Sequence, residues 1–240
     1  MSETVMVEIA ESVAVVVLNR PERRNALNQK LLETLYRRMD AIAADDAVRV
    51  VIITGAEPSF CSGLDLGVIL KENLLDPLGD GTNLPSVFGR CRKPIIGAVN
   101  GHAITGGLEL ALNCDFLIAS ERASFTDTHV RVGIHPGWGA TQLLQQAVGQ
   151  RRALQMSLSG EPVLAETAFA WGLVNEVVSH DQLVPRARQV AAEIVRGDAY
   201  MAAAIKSLIE FRNGVHLVQA LAAERNGHDA FLKKLELPQK

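Results

Sequence analysis

Cysteine is scarce in this sequence, and its placement excludes two kinds of site. Three cysteines occur among 240 residues, at Cys61, Cys91 and Cys114. None of them pair at metal-ligand spacing, and an odd number does not make a disulfide framework. The six histidines are scattered without an HExxH-type arrangement. We therefore expect buried reduced thiols, no metal site and a cytoplasmic location.

Long apolar runs and a large excess of one charge are also missing. No apolar run approaches the roughly 20 residues that a membrane span needs. The first twenty residues carry Glu3, Glu8 and Glu11 and lack the basic start of a secretory signal. The net charge is −3, which gives no electrostatic case for nucleic acid or an anionic membrane as a partner. We found no internal repeat at a fixed period.

Short apolar strands alternate with helices through the first three quarters of the chain. This alternation predicts an α/β fold with a mixed or parallel sheet. Asn28 is a good N-cap for a helix that follows it, and residues 67–90 are predicted as a loop with short helical pieces. The predicted strands are 13–18, 48–54, 95–99, 116–119 and 174–178, and the predicted helices are 29–44, 108–113, one from 138 onward, and 150–157.

The pattern becomes helical near residue 180. Helices are predicted at about 181–197, 199–212 and 215–235. We therefore predict a core of residues 1–180 and a helical C-terminal module of residues 181–240. The alanine- and leucine-rich faces of this module either cover the core or pair with another subunit, and oligomerisation is its expected role.

One segment carries more chemical information than any other, the stretch GAVNGHAITGGLELALNCD at 97–115. An apolar strand runs into a glycine-rich turn, and a helix opens at Gly106 and Gly107 with Glu109 in its first turn. Unpaired N–H groups at a helix start favour an anion. Taken alone, the segment fits two interpretations equally well. One is an anion site with an acid beside it, and the other is a tight structural turn with a solvated glutamate.

A second glycine turn, FCSGLDL at 60–66, follows the predicted strand 48–54. Turns that follow two central strands can face each other across a crevice at the strand ends. If each turn offers one backbone N–H, the two together can hold a single oxyanion.

Several segments, in this order, resemble the enoyl-CoA hydratase/isomerase (crotonase) superfamily over about residues 5–225. They are Asn19-Arg20-Pro21 with Asn25-Ala26-Leu27, FCSGLDL at 60–66, GGLELALNCD at 106–115, Gly133–Gly137, and Glu161 with 165–178. The resemblance implies a crotonase-like (ClpP/crotonase) α/β spiral of ββα units with a helical C-terminal module. It also implies a homotrimer or homohexamer.

The resemblance implies a site for an acyl-CoA thioester. The N–H groups of Leu64 and Gly106 would form the oxyanion hole for the thioester carbonyl. Coenzyme A is part of the substrate, and no separate cofactor is expected. The expected CoA contacts are Arg23 and Arg24 near phosphates, the Ala26 backbone near adenine, and Asp65 and Leu66 at the end of the first oxyanion motif. Arginine suits phosphate through its bidentate fork, although without the resemblance Arg23 and Arg24 are better interpreted as a solvated surface pair.

The chain departs from the family pattern at one catalytic position. The hydratases use two glutamates, one of which deprotonates water while the other delivers a proton to the α carbon. Glu109 matches the first, but the second position, four residues after Phe125, is His129. Histidine can act as a general acid or base near neutral pH, and Asp127 could orient it if both lie on one face of a strand. A role for His129 as part of the pocket wall stays open.

The leading interpretation is a 2-enoyl-CoA hydratase, with Glu109 and His129 as the catalytic pair. An isomerase, a decarboxylase or a thioester hydrolase of the same family is the alternative, because those reactions can run with one acid/base group. A non-catalytic acyl-CoA binding protein is a third. We expect His135 and Trp138 to be structural or pocket-lining residues, His102 to hydrogen-bond to backbone, and Asp65 to hold its loop.

Overall fold

The computed structural model describes residues 3–234, and its strands form two sheets. The strands are β1 (Val5–Ala10), β2 (Val13–Leu18), β3 (Val50–Gly55), β4 (Ile95–Val99), β5 (His102–Ile104), β6 (Phe116–Ser120), β7 (Ser124–Thr126), β8 (Val163–Leu164) and β9 (Glu176–Val178). The larger sheet has the order β1-β2-β3-β4-β6-β9, and the smaller has the order β5-β7-β8. In the larger sheet only β1 and β2 are antiparallel.

Some helices cover the two faces of the larger sheet, and others come after it in the chain. They are α1 (Gln29–Ala44), α2 (Leu84–Arg90), α3 (Gly106–Leu112), α4 (His129–Val132), α5 (Ala140–Val148), α6 (Gln150–Ser159), α7 (Ala165–Trp171), α8 (Leu183–Val195), α9 (Ala199–Arg212) and α10 (Leu217–Lys234). The Asn28 side chain caps α1 by accepting a hydrogen bond from the Leu31 N–H at 3.0 Å. Within residues 3–234, no helix is both long and apolar enough to cross a membrane.

The parallel strands are buried on both faces, which explains their continuous apolar sequences. Alternate residues of β3 pack in opposite directions: Val51 and Ile53 belong to the larger core cluster, with α1 and α2, and Val50 and Ile52 to the other, with α8. The α/β architecture is therefore built as a layered core around one mostly parallel sheet.

The chain forms two compact units, and the division falls between Arg196 and Gly197. The helix predicted at 181–197 was assigned to the C-terminal module, but α8 lies on the larger sheet. Its Leu183, Ala187 and Ala191 repeat every four residues and form one apolar stripe that is buried against the strands. The second unit contains α9 and α10 and begins later than residue 181.

The candidate site is formed by the two segments that leave the larger sheet at the carboxyl ends of β3 and β4. The turn after β3 lies beside β5: the Cys61 N–H donates to the His102 carbonyl at 2.9 Å, and the Ile104 N–H donates to the Cys61 carbonyl at 2.9 Å. The glycine turn that follows β5 opens α3. The two turns singled out in the sequence are thus joined by backbone hydrogen bonds.

Candidate active site

The two glycine turns meet at one end of a cleft. A Cβ atom placed on Gly106 would lie 3.4 Å from both the Gly63 Cα and the Leu64 nitrogen. Leu64 and Gly106 both line the cleft. Within residues 3–234, neither N–H is a donor in the backbone hydrogen bonds of turns, loops and caps, and Gly106 is the first residue of α3, where an N–H has no partner inside the helix. Two neighbouring donors are therefore available to one acceptor atom.

The close approach of the turns depends on glycine at position 107. A Cβ there would lie 2.0 Å from the Cys61 carbonyl oxygen and 2.7 Å from its carbon. Backbone atoms cannot give way as a flexible side chain can, so any larger residue would push the two turns apart.

Thr105 precedes the second donor in a strained conformation. Its φ of 51° and ψ of −105° are rare for a β-branched residue. Its hydroxyl contacts the Thr128 hydroxyl and accepts the Thr128 N–H at 3.0 Å, while its own N–H donates to the Thr126 carbonyl at 2.8 Å. These bonds hold the Gly106 peptide and tie it to the segment that leads into α4.

Glu109 is buried, and its two oxygens have different surroundings. Oε1 accepts the backbone N–H groups of Trp138 at 2.8 Å and Ala140 at 3.3 Å. Ala140 is the first residue of α5, so the helix start supports a negative charge there. Oε2 lies 3.8 Å from Nε2 of His129. The carboxylate is thus anchored through one oxygen, and the other faces the cleft.

His129 is the first residue of α4 and lines the cleft across from Glu109. It does not continue a strand, as the sequence interpretation assumed, because β7 ends at Thr126. Asp127 nevertheless reaches the imidazole: its Oδ1 lies 2.6 Å from Nδ1 and also accepts the His129 N–H at 3.1 Å. The other oxygen, Oδ2, accepts the Ser157 hydroxyl of α6 at 2.6 Å.

Burial and hydrogen bonding have opposite effects on the pKa values of His129 and Asp127. Burial lowers the pKa of His129, but the hydrogen bond to Asp127 and the negative charges of Asp127 and Glu109 outweigh it and raise the pKa above its ordinary value. Burial raises the pKa of Asp127, but the hydrogen bonds from His129 and Ser157 outweigh it and lower the pKa. The geometry therefore favours an imidazolium flanked by two carboxylates.

The residues expected to contact CoA lie next to the first turn. Arg23 and Arg24 are exposed on the loop before α1, and Leu66 is exposed as well. Both backbone groups of Ala26 already have partners, since its N–H donates to the Arg23 carbonyl and its carbonyl accepts from Arg20. Asp65 is buried, where it pairs with Arg20 at 3.1 Å and accepts the Gly67 N–H at 3.1 Å. Asp65 thus holds its loop.

Asn25 was named in the sequence only as part of a family motif, and the structure shows what its side chain holds together. Its buried amide donates to the carbonyls of Ala56 at 2.7 Å and Ser59 at 2.6 Å, and its oxygen accepts the Arg20 N–H at 2.9 Å. Asn25 adopts a left-handed φ of 57°, which asparagine tolerates better than most residues. Through these bonds it fixes the loop before α1 against the chain that leads into the first turn.

The remaining candidates lie beside the cleft or away from it. The Trp138 ring lies 3.5 Å from a Cβ placed on Gly106. His135 is exposed and bonds to the Pro136 carbonyl, and His102 bonds to the Ser124 hydroxyl and not to backbone. Burial raises the pKa of the Cys61 thiol to about 12. In the described chain, 3–234, no group of three or more His, Cys, Asp or Glu is placed to hold a metal ion.

Comparison with known proteins identifies the family. The sequence model of the enoyl-CoA hydratase/isomerase family matches residues 8–238. The chain belongs to this family. It is 40% identical to the "Probable enoyl-CoA hydratase 1, peroxisomal" of Arabidopsis thaliana over 91% of its length and 83% of the relative's. It is 38% identical to the 2,3-dehydroadipyl-CoA hydratase of Escherichia coli K12 over 94% of its length and 88% of the relative's.

Solved structures agree with this assignment. The enoyl-CoA hydratase from Mycobacterium smegmatis superposes with a TM-score of 0.80 at 41% identity, and the match covers 97% of this chain and all of the other. A subunit from Geobacillus kaustophilus gives a TM-score of 0.85 at 28% identity. The crotonase-like fold expected from the sequence is confirmed. This family member is an enzyme of the hydratase or lyase class.

Proposed function

We propose that this protein hydrates 2-enoyl-CoA thioesters, with Leu64 and Gly106 as the oxyanion hole and Glu109 and His129 as the acid/base pair. The observation that carries the proposal is the 3.8 Å separation of Glu109 Oε2 and His129 Nε2 beside two unengaged N–H groups. Addition of water to an enoyl thioester requires this combination: one base, one acid and stabilisation of a negative oxygen.

The protonation states assign a role to each group. The Leu64 and Gly106 N–H groups bind the thioester carbonyl oxygen. The Glu109 carboxylate takes a proton from water as the water oxygen bonds to the β carbon, and the electron pair of the double bond moves to form the enolate. The imidazolium of His129 then gives its Nε2 proton to the α carbon. Transfer of one proton from Glu109 to His129 restores the starting pair.

An imidazolium is a suitable replacement for the second carboxylic acid of the family. Two adjacent carboxylates share one proton because they raise each other's pKa. Here Asp127 and Glu109 hold the extra proton on His129 by attraction. The site therefore begins the reaction with a proton donor and a proton acceptor side by side.

The direct test follows crotonyl-CoA with the purified protein. Hydration removes the absorbance of the conjugated enoyl thioester and yields 3-hydroxybutyryl-CoA. Conversion of a 3-enoyl-CoA into a 2-enoyl-CoA, or release of free CoA without hydration, would instead support an isomerase or a thioester hydrolase. Absence of turnover with 2-enoyl-CoA of any chain length, together with tight binding, would support a non-catalytic acyl-CoA binder.

For substrate binding we propose Arg23 and Arg24 at the CoA phosphates and the exposed Leu66 along the nucleotide, with Ala26 and the buried Asp65 shaping the loops beside them. We propose that no cofactor is needed beyond the CoA of the substrate. Exposure of both arginines leaves them free to meet a phosphate. Dialysis against a chelator should leave the hydration rate unchanged, and loss of rate would contradict a metal-free reaction.

We also propose a homotrimer or homohexamer in which the C-terminal helices make subunit contacts. Within the second unit, Leu217, Val218 and Leu221 of α10 are exposed by 52% or more of their surface, and apolar clusters of this kind mark association sites. Light scattering during size exclusion would measure the mass, and Leu221→Asp should lower it. A monomer would contradict this proposal.

For location we propose the cytoplasm, supported by the three buried cysteines, none of which is in a disulfide. Fractionation of cells that express a tagged chain would test it, and recovery in an organelle would contradict it.

A further inference from the structure

We infer that Asp127, held by Ser157, is a positioning residue that fixes His129 with its Nδ1 proton on the protein side and its Nε2 facing Glu109. This inference rests on the proposed role of His129 in hydration. Neither Asp127 nor Ser157 lines the cleft, so both would act through the imidazole and not on the substrate.

The contacts of Asp127 define a carboxylate that is occupied on both oxygens. Asp127 is 1% exposed. Oδ1 accepts from His129 twice, through the backbone N–H and through Nδ1, and Oδ2 accepts the Ser157 hydroxyl. A buried carboxylate with these partners is ionised and accepts only. The proton between Asp127 and His129 therefore lies on Nδ1.

A proton on Nδ1 decides which nitrogen takes part in chemistry. In the neutral imidazole only one nitrogen carries a proton. With Nδ1 protonated, Nε2 is the nitrogen that gains or loses a proton, and it is the one that lies 3.8 Å from Glu109. Asp127 would thus keep His129 in a single tautomer that can receive the proton back from Glu109 after each turnover.

The local fold explains why Asp127 can do this. The backbone N–H of His129 on Oδ1 places the carboxylate over the start of α4, and Ser157 comes from α6, which packs against α4. The charged groups that act on His129 are Asp127 from its own loop and Glu109 from α3. Among the nearby cations, Arg131 of α4 pairs with Glu161, and Arg152 of α6 lies over the Trp171 ring.

The first experiment reads the tautomer directly and does not depend on activity. Long-range ¹H–¹⁵N spectra of imidazole-labelled protein distinguish Nδ1–H from Nε2–H, and a His129→Gln variant identifies the His129 signals. The expected neutral form is Nδ1–H in the native protein. In Asp127→Asn the amide can donate to Nδ1, so we expect Nε2–H and a lower pKa for His129. An unchanged tautomer and pKa in Asp127→Asn would overturn the inference.

The second experiment measures kcat and KM for crotonyl-CoA against pH. Asp127→Asn should lower kcat by about 10²-fold or more, the size of a general acid contribution, with little change in KM. The basic limb of the profile should move to lower pH. Asp115→Asn is the matched control, because its Oδ2 accepts the Ile95 N–H and neither residue lines the cleft, so it should leave the profile in place.

Ser157 provides a milder variant if Asp127→Asn does not fold. Ser157→Ala leaves one oxygen of Asp127 without its donor, so we expect a several-fold loss of kcat, while Ser157→Thr keeps a hydroxyl and should restore it. Ser159→Ala, on the same helix, is the control. Equal rates for Ser157→Ala and Ser157→Thr would contradict the positioning role. If no variant or native protein hydrates any enoyl-CoA, the proposed function fails while the spectra still decide the tautomer.

Discussion

The cleft has two walls that are built in different ways. The proposed oxyanion wall consists of backbone N–H groups in two glycine turns, one after β3 of the larger sheet and one after β5 of the smaller sheet. The proposed acid/base wall consists of side chains from the starts of α3 and α4, which backbone and side-chain groups of other segments hold in place. The first wall depends on the absence of side chains, and the second depends on which side chain stands at each position.

This difference indicates which components of such a site tolerate substitution. Backbone donors remain whatever the neighbouring side chains are, provided that glycine permits the close approach. A proton donor can be replaced by another group of suitable pKa if its surroundings adjust. In the proposed mechanism His129 with Asp127 is such a replacement, beside an oxyanion wall whose sequence resembles the family pattern.

Glu109→Gln should have the largest effect, since it removes the base of the side-chain wall and leaves the other wall intact. Glutamine keeps an oxygen for the Trp138 and Ala140 N–H groups, so the fold and KM should change little. The rate with crotonyl-CoA should fall by about 10²–10⁴-fold. Glu166→Gln, in the exposed first turn of α7, is the control. A rate equal to that of the native protein would dismiss a catalytic role for Glu109.

Gly107→Ala should disrupt the backbone wall without changing the Glu109 and His129 side chains. The added Cβ would overlap the Cys61 carbonyl, so the turns must separate, at a cost of about 1–3 kcal/mol in the free energy of unfolding. Loss of one oxyanion donor should lower kcat by about 10²-fold. Gly137→Ala meets no atom within 4 Å and should change neither quantity. Native stability and rate in Gly107→Ala would contradict this account of the hole.

The pH profile tests the charge on the side-chain wall. The raised pKa of His129 means that the imidazolium persists above its ordinary pKa of about 6.5. The hydration rate should therefore hold through that range and fall at higher pH, as Nε2–H is lost. His129→Gln should lack this limb and His135→Gln, altered at an exposed position, should keep it. A rate that rises through the same range would show that neutral His129 is the active form.

Substitution of Arg23 or Arg24 should give the smallest effect, because neither wall of the cleft is touched. Each change to alanine should raise KM about two- to fivefold, the size expected of an exposed ion pair, with kcat unchanged. The increase should shrink at high salt. Arg151→Ala, on the exposed side of α6, is the control. Unchanged KM in both variants would remove these residues from the CoA site.

Local signals in the sequence predicted several strands, one helix cap and both glycine turns of the backbone wall. The strands at Val13–Leu18 and Ile95–Val99 and the cap at Asn28 were found because each depends on residues within a few positions. The glycines of both turns are adjacent in sequence to the donors they serve. The short strands β5, β7 and β8 were not predicted, since two or three residues give no usable alternation. Strand β1, which has six residues, was not predicted either.

The side-chain wall was harder to predict because its contacts join distant segments. Ser157 meets Asp127 across thirty positions, and the partners of Glu109 are backbone N–H groups of Trp138 and Ala140. The residue types at these positions do not indicate that they contact Asp127 or Glu109. The sequence suggested that Asp127 could orient His129 along a strand, and the structure places the two at a helix start, where the same contact forms by another route.

The burial of Cys61 has a practical consequence for enzymology. Only the thiolate reacts with electrophiles, and burial raises the pKa of the Cys61 thiol, so Cys61 stays protonated and unreactive near pH 7. Cys91 and Cys114 are buried as well. Chromogenic disulfide reagents can therefore report free coenzyme A in the presence of this enzyme with little background, and a cysteine introduced on its surface would be a selective point for attaching a fluorophore.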